Sequence, residues 1–177
     1  MILKPEPVAR LIDRLQETGG RYDEIIFLTP DGETLQQSML NAWTLQNRLL
    51  LIAGHYKGLD QRIRDQYITR EISIGDYVLT GGELPAAVLI DGIARLIPGV
   101  LGDETSALLD SFQDGLLDPP HYTRPAQWRG HAIPEVLLSG NHARIDQWRY
   151  EEAVAKTKAR RPDLLHGDDG AAGSETP

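Results

Sequence analysis

Between Pro5 and Glu17 the apolar residues Val8, Leu11, Ile12 and Leu15 recur at helical spacing, which predicts an amphipathic first helix. Pro5 and Pro7 suit its start, and Gly19-Gly20 stops it. Glu24 to Thr29 (EIIFLT) is rich in β-branched and aromatic residues and predicts a buried strand, closed by the turn signal Pro30-Asp31-Gly32. A helix over Thr34 to Gln46 and a second apolar strand, Leu49 to Ala53, follow. The turn Gly54-His55-Tyr56-Lys57-Gly58 then leads into a short helix over Leu59 to Tyr67. Helices alternating with near-continuous apolar strands predict an α/β fold whose parallel sheet is covered on both faces.

The pattern changes after that. Glu71 to Glu83 sets three glycines among apolar residues, and an apolar helix over Leu84 to Leu96 ends at Pro98-Gly99. From Gly102 to Gly140 the chain reads as loop, broken by Pro119, Pro120, Pro125 and Pro134, with Val136-Leu137-Leu138 its one clear apolar run. Loops of that length in a compact domain are usually functional or flexible. Asp146 to Arg161 reads as a last helix with a basic end (Lys156, Lys158, Arg160, Arg161), and His166 to Pro177 as a disordered tail.

Composition narrows the function. The 177 residues are 41% hydrophobic and 25% charged, enough to bury a core. Cysteine is absent, which excludes disulfides, thiolate metal sites and a cysteine nucleophile. No apolar run approaches a membrane span and the N-terminus lacks a signal-peptide layout, so no membrane association and a cytoplasmic location are expected. The net charge is −8, so contact with nucleic acid needs a local basic patch.

Glycine-bearing turns around Gly54, Gly75 and Gly81-Gly82 each follow or interrupt an apolar strand. Singly they read as tight turns; together, at strand ends, they point to a ligand cleft where backbone amides approach a cofactor. They match neither the dinucleotide fingerprint nor a phosphate loop. Asp110 reads either as a helix cap, from its spacing to Gln113, or as a loop carboxylate acting as general base. Arg95 reads either as an ion-pair partner of Asp91 on the apolar helix or as a guanidinium aimed into a cleft. His121 and His142 lack metal-ligand spacing, and no metal ligands are assigned. Tyr122, Arg124, Trp128 and Arg129 interleave aromatics with guanidinium groups, a pattern suited to RNA or to a packed loop.

Longer motifs stand in order along the chain: SIGDYVLTGGELP at Ser73 to Pro85, IPGVL at Ile97 to Leu101, Asp110-Ser111-Phe112, HYTRP at His121 to Pro125, and LLSGNH at Leu137 to His142. Together they closely resemble bacterial tRNA (guanine-N1)-methyltransferases of the TrmD type, from about Met1 to Leu165. The resemblance implies the SPOUT class, an α/β domain with a C-terminal trefoil knot and a short helical extension. It implies S-adenosyl-L-methionine as methyl donor, N1 of guanine at tRNA position 37 as acceptor, a homodimer with each site built across the interface, and a dependence on magnesium. The family's donor-site positions fall on Phe27, Leu28, Pro30, Gly54, Ile74, Gly75, Tyr77, Leu79, Gly81, Gly82 and Pro85, and its catalytic pair on Asp110 and Arg95. The implied organisation is a methyltransferase domain over 1–101, an interdomain loop with the catalytic aspartate over 102–142, a reduced tRNA-binding helical region over 143–165 and a disordered tail over 166–177.

Two departures qualify the match. The family's first turn often reads Cys-Gly-Arg-Tyr-Glu-Gly, against Ala53-Gly54-His55-Tyr56-Lys57-Gly58 here, so Lys57 is left out of the site. Family members also usually begin well before Met1, with a strand, a helix and a Gly-rich loop, and many extend further at the C-terminus. The chain is therefore expected to be a fragment, a mis-started reading frame or a reduced form. An exposed strand edge at Glu24–Thr29 or Leu49–Ala53 is expected, with lower solubility and activity than a longer version. The competing readings are another knotted-class RNA methyltransferase, and an inactive truncated dimer that binds RNA or a nucleotide.

Overall fold

The computed structural model describes residues 1–101 and 110–165; the expected disordered tail and the 102–109 part of the expected interdomain loop lie outside the described residues. The chain divides into two compact units, Met1–Glu104 and Thr105–Pro177.

The first unit is an α/β layer structure. Helix α1 (Pro5–Gly19) keeps proline in its first turn and ends at Gly20, whose positive φ of 84° lets its N–H reach Gln16 O at 2.9 Å. Ile12 is buried on its inner face, whereas Leu11, expected there too, stays 60% exposed. Strands β1 (Glu24–Thr34), β2 (Leu49–Ala53) and β3 (Arg70–Ser73) form a three-stranded parallel sheet in the order β2-β1-β3. Leu49–Ala53 and Arg70–Ser73 are therefore the two edge strands of this sheet, and Glu24–Thr29 is central.

Alternation along β1 sorts its side chains into two layers. Ile26 and Leu28 pack with Leu40 and Trp43 of α2 (Gln37–Trp43), Ile72 of β3 and Leu89 of α4 (Glu83–Ala94). Phe27 turns the other way, onto Leu59 ahead of α3 (Gln61–Tyr67) and Ile63 within it, with Val8 of α1 against them. The parallel sheet flanked by helices is as the sequence pattern predicts.

Boundaries differ for local reasons. The Pro30-Asp31-Gly32 turn does not end β1. It is an irregularity after which pairing with β3 resumes, Ile72 lying opposite both Leu28 and Glu33. Thr34 then pairs with Ser73, so α2 starts only at Gln37.

Asp60 caps α3: its carboxylate accepts the Arg62 N–H at 3.0 Å and two bonds from the Arg62 guanidinium. Those bonds lower its pKa from 3.8 to about 2. A depressed folded-state pKa contributes stability that is present above the ordinary value and lost as pH falls through the depressed one. Asp60→Asn keeps a capping oxygen but not the charge. The wild-type advantage over it is expected to hold above pH 3.8 and to disappear toward about pH 2. Urea melts across that range check it; an advantage persisting below the window contradicts the assignment.

The second unit carries more structure than a loop. A two-stranded antiparallel hairpin, β4 (Gln127–Trp128) and β5 (His131–Ala132), turns through Arg129 and Gly130, both at positive φ. The apolar run at Val136 becomes the short helix α5 (Glu135–Leu138). Helix α6 (His142–Arg160) starts ahead of the expected Asp146, because the Asn141 side chain accepts the Arg144 N–H at 3.3 Å. No helix follows Asp110: Ser111 and Phe112 form a turn, so the capping interpretation falls. A 3-10 turn, Pro162–Leu165, closes the described chain.

Candidate functional site

In the first unit, the carboxyl ends of β1, β2 and β3 open into one cleft of about 370 Å³. From β1 come Phe27, Leu28 and Pro30, and from the turn after β2 comes Gly54. The segment after β3 supplies Ile74, Gly75, Tyr77 and Leu79, and the entry to α4 supplies Gly81, Gly82 and Pro85. All eleven donor-site positions from the sequence thus line the same cleft.

Two glycines are required by the backbone itself. Gly75 holds φ at +146°, and a Cβ there would stand 2.6 Å from the Tyr77 ring. At Gly82 a Cβ would lie 2.8 Å from Ala53 Cα and from the Gly54 amide nitrogen, because the α4 entry is pressed against the end of β2. The Gly82 N–H donates to Gly54 O at 2.8 Å, and His55 and Gly81 form an isolated antiparallel bridge. A side-chain pair spans the same seam, His55 Nε2 to Glu83 Oε1 at 2.6 Å. Hydrogen bonds from the Glu83 backbone and then from His55 hold the Glu83 carboxyl below its usual range.

The charged lining was not legible from local patterns. Asp31 sits in what reads as a plain turn, yet its carboxylate accepts from the Thr29 hydroxyl and, at 2.8 Å, from Arg64. These bonds hold its pKa down, the Thr29 bond contributing most. Arg64 also donates through Nε to Glu71 at 2.6 Å, and its guanidinium lies 5.6 Å from the Phe27 ring centroid. Glu71 first, and Asp31 after it, hold Arg64 firmly protonated. Asp31 and Arg64 are far apart in sequence, so no short spacing announces the pair. His55, Tyr56 and Lys57 line the cleft as well.

Arg95 does not line this cleft. It is the C-cap of α4, half-buried, and its amide donates to Asp91 O at 3.1 Å. The helix it ends carries exposed apolar residues: Leu84 is 67%, Val88 48% and Ile90 55% accessible, and Ile97 and Val100 beyond it are also exposed.

Asp110 belongs to the second unit and is half-buried. Its backbone oxygen accepts the Gln113 N–H at 3.4 Å. In the same unit Trp128 is 59% exposed with the Arg129 guanidinium 4.8 Å from its ring centroid, and Tyr122 lies 6.3 Å from Trp148. The basic end of α6 is less open than the sequence implies. Lys158 and Arg160 face solvent, but Lys156 bonds to Asp118 O and Arg161 pairs with Asp163.

Among the described residues, no group of three or more His, Asp or Glu could hold a metal ion, and no helix is long and apolar enough to cross a membrane.

Comparison with known proteins agrees with the motif resemblance. The family described as tRNA (Guanine-1)-methyltransferase TrmD matches residues 1–167. The tRNA (guanine-N(1)-)-methyltransferase of Chlorobium chlorochromatii is 59% identical over 165 residues, covering 93% of this chain and 71% of that protein. Those of Flavobacterium psychrophilum and Porphyromonas gingivalis are each 58% identical, over 93% of this chain and 73% of theirs.

Proposed function

Because the chain belongs to the tRNA (guanine-1)-methyltransferase TrmD family, we propose that it transfers a methyl group from S-adenosyl-L-methionine to N1 of guanine at position 37 of tRNA. One observation carries the donor half of this reading. The eleven family positions, drawn from three strand ends and a helix entry, line a single cleft of a size suited to a nucleoside-sized ligand.

The residues present fit that donor. Phe27, Leu28 and Pro30 offer an apolar wall to an adenosine, and the segments around Gly54, Gly75 and Gly81 bring main chain close to the cleft. When bound, the donor supplies an electrophilic methyl on a sulfonium. The chain's part is to activate the acceptor. Guanine N1 carries a proton at neutral pH and is a poor nucleophile until it leaves; the Asp110 carboxylate takes that proton. Negative charge then grows toward guanine O6, where the Arg95 guanidinium stabilises it. Alignment of acceptor and donor supplies much of the remaining rate.

The same reading includes the family's trefoil knot, a cytoplasmic location and a homodimer. The exposed Leu84, Val88 and Ile90 of α4 support the dimer, since apolar residues concentrated on one helix mark an association surface. The domain roles over 1–101, 102–142 and 143–165 belong to it too. In the second unit, the Trp128–Arg129 stack with Lys158 and Arg160 supplies aromatic and cationic groups for RNA on an acidic chain. The family's magnesium dependence finds no ligand cluster among the described residues.

Isothermal titration with S-adenosylhomocysteine tests the donor site. Saturable binding at one site per chain is expected; absence of heat from the folded protein contradicts the reading.

A further inference from the structure

Helix α6 does more in the second unit than present basic residues. Thr157 is wholly buried, and its hydroxyl is used twice: it accepts the Leu117 N–H at 2.8 Å and donates to Ala153 O at 2.7 Å. Its neighbour Lys156 turns inward and donates from Nζ to Asp118 O at 2.6 Å. Two successive residues of α6 thus grip the backbone of two successive residues, Leu117 and Asp118, in the loop that carries Asp110.

That loop is closed on itself. The Asp118 N–H donates to Ser111 Oγ at 2.9 Å, and the Phe112 N–H donates to Leu116 O at 2.8 Å. Phe112 is held at φ 75°, with the Arg161 guanidinium 5.7 Å from its ring centroid. Ser111 directly follows Asp110, so the route from α6 to Asp110 is short: Thr157 and Lys156 fix Leu117 and Asp118, and Asp118 fixes Ser111. A buried hydroxyl with both its donor and its acceptor satisfied specifies one geometry, because any shift of the loop would leave the Leu117 N–H without a partner.

We propose that Thr157 and Lys156 are positioning residues for Asp110, holding its loop against α6 so that the carboxylate meets guanine N1; this rests on the role given to Asp110 above. Neither touches substrate. The basic end of α6 is accordingly divided: Lys158 and Arg160 remain exposed for RNA, while Lys156 serves the loop.

The test compares Thr157→Val, Thr157→Ser and Lys156→Met with wild type and Asp110→Ala. Thr157→Val is expected to lower kcat about tenfold, the scale of a small misplacement of a reacting group. Binding of S-adenosylhomocysteine in the first unit should be unchanged. Thr157→Ser, which retains the hydroxyl, should recover most of the rate. Added to Asp110→Ala, Thr157→Val should cost nothing further, since the group it positions is already gone. Lys156→Met gives the same readout by a separate contact if the valine variant does not fold. The proposal is overturned if folded Thr157→Val and Lys156→Met keep wild-type kcat, if serine and valine lose equally, or if the losses add to that of Asp110→Ala. An active Asp110→Ala variant would instead overturn the role of Asp110 itself.

Discussion

Asp110→Ala is expected to lower methyl transfer by about 10²-fold or more, the usual contribution of a general base, while S-adenosylhomocysteine binds as in wild type. In the turn at Asp110 its carbonyl accepts the Gln113 N–H at 3.4 Å, a bond that alanine keeps. The donor cleft lies in the other unit, lined by residues of the first. A structural role predicts a lowered melting temperature with normal turnover of the folded fraction. The catalytic role predicts the reverse. Single-turnover methylation of unmodified tRNA, with a thermal melt of the same preparation, separates them; turnover within about threefold of wild type sinks the base.

Gly81→Val is the second large effect, this time on binding. The Gly81 backbone is not at positive φ, so a side chain brings no conformational strain. The atoms nearest to an added Cβ are the ends of side chains, Glu83 Oε2 and the His55 Nε2 and Cε1. Those can move, and the valine then occupies the cleft. Gly82→Val is the contrasting case, because its Cβ would meet the backbone of Ala53 and Gly54. Gly81→Val is therefore expected to melt within a few degrees of wild type but to lose the stabilisation that S-adenosylhomocysteine confers. Gly82→Val is expected to melt far lower without any ligand. A Gly81→Val protein that still gains the full ligand-induced shift refutes the cleft assignment.

The parts of this site that could be read from sequence share a physical property: they are local. Apolar runs such as Ile25-Ile26-Phe27-Leu28 fix a strand because burial on both faces requires near-continuous hydrophobicity. The glycines at strand ends were legible because only glycine allows Gly75's backbone angle or Gly82's approach to β2. Pairings set by the fold were not legible. Arg64 reaches Asp31 and Glu71 only once β1, β3 and α3 are assembled. Lys156 looked like one more solvent-facing cation because its acceptor, Asp118 O, is main chain and leaves no trace in residue type. The spacing Ile145, Trp148, Glu152, Lys156 on α6 was the available signal: these positions are half-buried, an inward stripe that happens to include a charge at each end of its second half. At Asp110 the helix-cap pattern misled, since a spacing of three residues cannot tell a helix from a tight turn whose Asp110 carbonyl accepts the Gln113 N–H.

The most direct measurement of the whole account is mass spectrometry of nuclease digests of unmodified tRNA, carrying guanine at position 37, after incubation with this chain and S-adenosyl-L-methionine. The account predicts a single new nucleoside, 1-methylguanosine, mapped to that position and absent when Asp110→Ala replaces the wild type. A methyl group on another atom or another base, or no methylated product from folded protein that binds S-adenosylhomocysteine, would contradict it.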